Sequence, residues 1–350
     1  MAPKAKALIA MSGGVDSSAA AFLTIQAGFE CIGSTMILCQ NQEDIRDAEA
    51  VAQRLGMPFY TFDARTPFRQ QVQEPFVRSY EQGDTPNPCI LCNRQIKFGY
   101  LLEKAQELGC SHIVTGHYAR VVRDDETGRW LLRKAADPAK DQSYFLCTLT
   151  QEQLRHIFFP LGELTKEQAR QLALQQQFVN ARKRDSQDIC FVPDGDYPAF
   201  LEAFTGNRYP GGHFLDQEGH VVGQHRGAVC YTLGQRKGLG IAMGQPVYVC
   251  GKDMDANTVT VGPNEALFHR TLVASDWSWF PFDTLTQPLR CMAKARSRMT
   301  EQPATAYPEE NGTVRVVFDE PQRALTPGQT VALYDGDIVI GGGCIREITD

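Results

Sequence analysis

The apolar run Lys6–Met11 (KALIAM) passes directly into Ser12-Gly13-Gly14-Val15-Asp16-Ser17-Ser18 and from there into an alanine-rich stretch, Ser17–Ala27. A short buried strand that turns on glycines into a helix opens an α/β unit. The alternation continues. Cys31–Leu38 reads as a strand, Ile45–Leu55 as a helix stopped by Gly56, and Pro58–Asp63 as a strand. Lys97–Leu108 reads as a helix and Cys110–Thr115 as a strand closed by Gly116. Strands alternating with helices predict a parallel sheet covered on both faces. The α/β texture supports a catalytic domain over 1–194.

With 350 residues the chain is longer than one core usually organises. After Gly195 the texture changes to short strand-like runs between glycines, Gly219–Gly223, Gly234–Gly240 and Pro246–Gly251, which predict a small mixed linker domain over 195–270. The runs Leu289–Ala295, Thr313–Phe318, Thr330–Tyr334 and Ile338–Cys344 alternate with turn signals. They predict a compact antiparallel β-barrel over 271–350.

Composition narrows the function class. Apolar and charged fractions of 43% and 22% are those of a folded globular protein and exclude a disordered or collagen-like chain. The first apolar stretch, Ala5–Met11, is too short to span a bilayer and runs into glycines and an aspartate instead of a cleavage site. A cytoplasmic protein with no membrane contact is expected. Eleven scattered cysteines are not a secreted disulfide framework, and most should be small buried hydrophobes. A net charge of −6 argues against a general nucleic-acid coat but leaves room for one basic face.

Between strand and helix, glycines let backbone N–H groups turn toward an anion, and the helix N-terminus adds a favourable dipole. Ser12–Ser18 therefore reads as a phosphate site; the bland alternative is a glycine turn with Ser17 or Ser18 as helix N-cap. The loop lacks the Gly-Lys-Ser/Thr ending that reaches β- and γ-phosphates in the usual nucleotide loop. A second candidate is Thr85-Pro86-Asn87-Pro88-Cys89-Ile90-Leu91-Cys92-Asn93, two thiols three apart behind two stiffening prolines. Alone, the pair reads equally as a redox pair or an unused core pair, and a zinc site would want a second close pair of ligands that does not follow. Cys190, in Asp185-Ser186-Gln187-Asp188-Ile189-Cys190-Phe191, follows the basic run Arg182-Lys183-Arg184, whose cations favour a thiolate.

The phosphate loop resembles that of the ATP pyrophosphatase superfamily, whose members split ATP between the α- and β-phosphates and transfer AMP to a substrate oxygen. Its order with TPNPxxxCN, Thr115–Tyr118 (TGHY), Lys140–Leu146 (KDQSYFL), SxxICF and Gly234–Gly240 (GQRKGLG) is similar to the tRNA-specific 2-thiouridylase family. The resemblance implies an adenine-nucleotide α-hydrolase-like parallel-sheet domain, ATP and Mg²⁺ as cofactors, and tRNA as substrate. The C2 oxygen of the wobble uridine would be adenylated and replaced by sulfur. It implies that Ala10, Met11, Ser12, Gly13, Gly14, Val15, Asp16, Ser17 and Ser18 bind ATP and its pyrophosphate, that Asp16 helps to hold Mg²⁺, and that Met36 and Gly116 line the adenine and ribose pocket. Cys92 would be the nucleophile and Cys190 the persulfide carrier, resolved by a Cys92–Cys190 disulfide. Asn87, Pro88, His117, Lys140, Asp141, Gln142, Arg296 and Gln329 would lie near the tRNA. Sulfur would come from a cysteine desulfurase or a sulfur relay protein.

Two departures from the family pattern stand out. Many members carry Asp where this chain has Cys89, so three soft ligands, Cys89, Cys92 and Cys190, raise a [4Fe–4S] cluster as the alternative sulfur carrier. After Met36 the family often has a longer acidic loop, whereas this chain goes almost directly to Gln42-Glu43-Asp44. A phosphate track could be built from Arg182–Arg184, Arg236-Lys237 and Lys294-Arg296-Arg298. A modified wobble base must be presented unstacked, so a pocket for one flipped base is expected. The competing function class is an ATP-dependent ligase acting on a small molecule, which uses the same loop but does not need Cys92 and Cys190 together.

Overall fold

The computed structural model describes residues 4–39, 42–183, 189–192 and 195–349. The sequence readings on Arg184, Asp185, Ser186, Gln187 and Asp188, and the boundary at Asp194, lie outside these residues. The N-terminal strands are β1 (Lys6–Ala10), β2 (Glu30–Ile37), β3 (Phe59–Asp63), β4 (His112–Val114), β5 (Arg120–Arg123), β6 (Trp130–Arg133) and β7 (Ile157–Phe158). Five of them form a parallel sheet in the order β3-β2-β1-β4-β7. β1 buries Ala7, Leu8 and Ile9 completely, as expected where helices cover both faces. Helix α1 (Val15–Gln26) lays Ala19, Ala20 and Ala21, all fully buried, against the core and packs on the helix Lys166–Gln175. Helix α2 (Gln42–Arg54) buries Ala48, Val51 and Ala52 on the same side.

Strand order reverses at β1, which has β2 on one side and β4 on the other. A crevice opens at the carboxyl ends of strands at such a point, and this is where α/β proteins bind ligands. Gly14 is the N-cap of α1 with extended φ and ψ of −94° and 165°, so the expectation that Ser17 or Ser18 caps the helix is corrected. Both serines sit inside the first turn, and each donates its hydroxyl back to the Gly14 carbonyl.

The second sheet contains β8 (Gly212–Leu215), β9 (Val221–His225), β10 (Tyr248–Asp253) and β11 (Thr258–Gly262) in the order β10-β11-β8-β9. It is mixed, because β11 and β8 run parallel while the other pairs run antiparallel. Gly234–Gly240 is not a strand. Positive φ at Gly234, Gly238 and Gly240 makes it a series of turns.

The C-terminal strands are β12 (Phe268–Trp279), β13 (Leu289–Lys294), β14 (Gln302–Pro308), β15 (Val314–Arg323), β16 (Thr330–Asp335) and β17 (Ile338–Thr349). They close into an antiparallel barrel, β12-β15-β14-β13-β16-β17, through pairing of β17 back onto β12. Closure removes free edges. The start of β17 also pairs with β6, and β6 with β5, so an N-terminal hairpin extends the barrel sheet. Among the described residues no helix is long and apolar enough to cross a membrane.

Candidate active site

A cleft of about 340 Å³ opens at the ends of β1, β2 and β4. Of the residues expected to bind nucleotide, Ala10, Met11, Ser12, Asp16, Ser17, Met36 and Gly116 line it, joined by His117, Gln142 and Lys97. Gly13, Gly14, Val15 and Ser18 are not on its wall. Val15 is buried in the core, and Ser18 is tied to Asn180, whose amide also donates to the Gly13 carbonyl at 2.9 Å. The loop is thus braced from behind by a buried asparagine that no motif singled out. Gly13 has φ +75°, and a Cβ there would collide with the Asp44 carbonyl oxygen. Gly116 needs its bare backbone for a different reason: a Cβ would stand 2.8 Å from the backbone of Asp16 and Ser17.

Asp16 does not offer a free carboxylate. Lys166 donates to both of its oxygens at 2.8 and 2.7 Å, and the Tyr118 hydroxyl donates to Oδ1 at 2.8 Å. Lys166 is placed there by a capping box in which Thr165 and Gln168 each accept from the other's backbone N–H. The arrangement therefore does not present Asp16 as an open Mg²⁺ ligand, and the positive charge beside the phosphate loop belongs to Lys166.

Cys89, Cys92 and Cys190 do not line the cleft but lie within electrostatic reach of Lys97, which does. Asn87 is the N-cap of the short helix Pro88–Leu91, its Oδ1 accepting from the Cys89 N–H at 3.2 Å, and Pro88 occupies the first turn. The chain continues as a π-helix, Cys92–Tyr100, a wide coil often found at functional sites. Gln153 stabilises it by donating to the carbonyls of Arg94 and Phe98 at 2.7 and 3.0 Å, and Asn93 donates to the Phe145 carbonyl at 2.9 Å. This winding turns Lys97 into the cleft while leaving Cys92 buried at 9% exposure. Cys190 is held from the opposite side. Its neighbour Phe191 packs against Phe68, Phe76 and Phe200 with ring centroids at 5.6, 5.2 and 5.0 Å. The buried rings of Phe68, Phe76 and Phe191 each contribute roughly 1.5–3 kcal/mol by leaving water.

Lys97 favours the anionic forms of Cys89, Cys92 and Cys190, which groups all three around one cation. Burial pushes the Cys92 thiol up to about 11 against this effect. Cys190 moves the other way, to about 7, chiefly because the Cys39 thiol hydrogen-bonds to it, with Lys97 helping. Cys39 had no place in the sequence reading; the motif windows all fell elsewhere. Cys39 is correspondingly held far above the ordinary thiol range, first by that hydrogen bond and then by burial, and its Sγ lies 3.2 Å from the Cys190 carbonyl oxygen. Cys39 and Cys190 are exposed, as is Cys89.

The residues expected near tRNA divide. His117 and Gln142 line the cleft. His117 is buried between Phe98 and Phe159, bonds to Thr115 Oγ1 at 2.7 Å, and is held well below the usual imidazole range by burial and then by Lys97. Gln142 accepts from the Tyr118 N–H at 2.9 Å. Asp141 is turned inward, accepting from Ala135 N–H, Ser143 N–H and the Ser143 hydroxyl. Gln329, from the barrel, donates to the Thr85 carbonyl at 2.6 Å and so docks the cysteine loop. Lys140 and Arg296 are half-buried. In the basic runs, Lys183 is taken up by Asp44 and Asp47 at 2.7 and 2.6 Å, whereas Arg236 and Lys237 are exposed.

Comparison with known proteins matches this layout end to end. The chain fits the tRNA methyl transferase HUP domain over residues 5–194, the tRNA methyl transferase PRC-barrel domain over 198–263 and the aminomethyltransferase beta-barrel domain over 269–345. It is 44% identical to the tRNA-specific 2-thiouridylase MnmA of Clostridioides difficile, covering 98% of each chain. Identity to the proteins of the same name is 46% in Acetivibrio thermocellus, over 98% of this chain and 99% of the relative, and 47% in Symbiobacterium thermophilum, over 98% and 92%. With a phosphate-loop cleft that shares Lys97 with a group of thiols, and relatives this similar over nearly its whole length, the chain belongs to the tRNA-specific 2-thiouridylase MnmA family.

Proposed function

We propose that this protein catalyses the ATP-dependent 2-thiolation of the wobble uridine of tRNA, with Cys190 as the persulfide carrier and Cys92 as a nucleophile beside the activated base. The observation that carries the reading is Lys97, which lines the phosphate-loop cleft and at the same time favours the thiolates of Cys92 and Cys190. An adenylating site and a sulfur site share one wall.

ATP would lie with its phosphates against Ser12 and Ser17 and the first turn of α1, where N–H groups and the helix dipole favour an anion. Lys166 and Asp16 would flank the pyrophosphate as it leaves. Gly116 keeps the nucleotide side of the cleft open. The uridine oxygen attacks the α-phosphorus, AMP becomes the leaving group, and sulfur replaces the oxygen at C2. His117, neutral and apolar on two sides, suits the wall of a pocket for a flipped base. The persulfide on Cys190 would come from a cysteine desulfurase or a sulfur relay protein through its exposed thiol.

Cys89, Cys92 and Cys190 are a soft donor set around one cation, and that set fits a [4Fe–4S] cluster. Held by these three thiols, the cluster would supply an open iron for hydrosulfide. Among the described residues the three sulfurs do not gather mutually within 4.8 Å. A compact single-metal site is therefore not what they form.

A small-molecule ligase using the same loop would leave the thiols at the cleft without a task. Purified protein given ATP, a persulfide donor and unmodified tRNA should yield thiolated uridine, AMP and pyrophosphate in equal amounts. Full thiolation by both Cys92→Ser and Cys190→Ser would overturn the sulfur assignment, and full activity only with bound iron would favour the cluster.

A further inference from the structure

Lys97 lines the cleft together with the phosphate-loop residues Ser12, Asp16 and Ser17. Lys166 is closed onto Asp16, and Lys183 onto Asp44 and Asp47. Lys97 differs from both: among the described residues no carboxylate lies within ion-pair distance of its ammonium. A cation that faces an anion site without a protein counter-charge is set for an anionic ligand. The order of residues along the wall shows which part of that ligand it meets. Gly116 lies directly against the backbone of Asp16 and Ser17, at the phosphate loop. His117 follows, and its ring centroid is 5.9 Å from that of Phe98, the residue after Lys97. Lys97 therefore stands beyond Gly116 and His117 as seen from the loop, one turn of the π-helix after Cys92. With pyrophosphate cradled at the loop, the phosphate left within reach of Lys97 is the α-phosphate.

We propose that Lys97 is a catalytic residue of the adenylation step, its ammonium donating to the α-phosphate of ATP and then to the AMP ester of the uridine. The inference rests on the function proposed above. The uridine O2 attacks the α-phosphorus and forms the new P–O bond. The bond from the α-phosphorus to the bridging oxygen breaks, pyrophosphate takes the electron pair, and the uridine N3 proton passes to solvent. Lys97 stabilises the charge on the non-bridging oxygens while phosphorus is five-coordinate. When sulfur adds at C2, the C2–O bond breaks and AMP departs with that electron pair, held by the same ammonium. Lys97 also favours the thiolates of Cys92 and Cys190, so one side chain serves both halves of the reaction.

Adenylation can be read apart from sulfur transfer by giving the protein ATP and unmodified tRNA without a sulfur donor. Single-turnover pyrophosphate release should then fall by about tenfold or more in Lys97→Met. Calorimetric titration of the same variant should show AMP bound about tenfold more weakly and pyrophosphate bound as in the unsubstituted protein. Lys97→Arg, which keeps the cation, should recover most of both losses. Pyrophosphate release at the wild-type rate in Lys97→Met, with thiolation alone slowed, would overturn the proposal by confining Lys97 to the thiols. An equal loss of AMP and pyrophosphate affinity would overturn it as well, since that marks a distorted cleft and not a lost contact. Absence of tRNA-dependent pyrophosphate release from the unsubstituted protein is a different failure, which would remove the adenylation reading itself.

Discussion

Both carboxylate oxygens of Asp16 accept from the Lys166 ammonium, 150 residues away in sequence, at 2.8 and 2.7 Å. Lys166 is the first residue of its helix, where the dipole disfavours a cation, so the position is explained by what it faces and not by the helix it begins. The ion pair is only partly screened, with side-chain exposures of 14% for Lys166 and 30% for Asp16.

Lys166→Met should therefore lower pyrophosphate release by about tenfold or more, equivalent to roughly 1.4 kcal/mol or more of lost stabilisation as charge develops on the leaving group. Loss of charge-assisted hydrogen bonds should cost about 1–3 kcal/mol of folding stability, read by denaturant unfolding. Adenylation at the wild-type rate in a folded variant would assign Lys166 a purely structural role.

Gly116→Ala places a methyl group 2.8 Å from the backbone of Asp16 and Ser17. Backbone cannot swing aside as a side chain does, so the first turn of α1 must move. The expected result is a loss of about 1–3 kcal/mol in stability with a disproportionate rise in the KM for ATP. An unchanged KM would mean that the cleft tolerates the shift.

The strand, loop and helix that hold phosphate were legible because their signal is local: apolar residues in a run, then glycines, then alanines. The barrel was legible in β13, β15, β16 and β17 for the same reason, whereas β12 and β14, the latter carrying Pro303 and Pro308, were missed. The hairpin β5-β6 could not be found in this way, since its role depends on pairing with β17, which begins some 200 residues later. The same limit hid Asn180 and Lys166, although the Thr165–Gln168 capping box beside a first-turn lysine was a usable sign. Cys39 was missed because its partner, Cys190, lies 151 residues away. Burial had to be seen to tell the roles of the thiols apart.

Lys183 and Lys237 look equivalent in sequence but are not. Lys183 is bound by Asp44 and Asp47, and Lys237 is exposed. Lys237→Gln should weaken tRNA binding and lower the slope of log affinity against log salt by about one, the amount expected for one phosphate contact. Lys183→Gln should leave that slope unchanged. Equal effects in a filter-binding titration would place both on the tRNA path.

Cys190 and Cys92 should separate by pH. With Cys190 lowered to about 7 and Cys92 raised to about 11, the Cys190 thiolate is half formed near neutrality while Cys92 stays protonated. Iodoacetamide labelling followed by mass spectrometry should show Cys190 reactivity rising through about pH 7 and levelling above it, with Cys92 slower throughout. Cys39→Ala removes the largest cause of the lowering and should move the Cys190 midpoint upward, toward the ordinary thiol value. A midpoint that does not move would transfer the effect to Lys97.

His117 gives the stability curve a definite sign. Its folded-state value lies well below 6.5, so in acid the unfolded chain binds a proton at this position that the folded chain refuses. Stability at this site is therefore fully retained above 6.5 and falls as the pH drops below it, by at most about 1.4 kcal/mol per pH unit until the folded-state value is reached. Denaturant midpoints taken between about pH 5 and 7 should show this slope, and His117→Asn should reduce it even though the variant is less stable at every pH. The slope is the readout, because loss of packing against Phe98 and Phe159 lowers the midpoint without tilting the curve. An unaltered slope in the variant would assign the acid sensitivity to other groups, with His225, also lowered by burial, the first to substitute next.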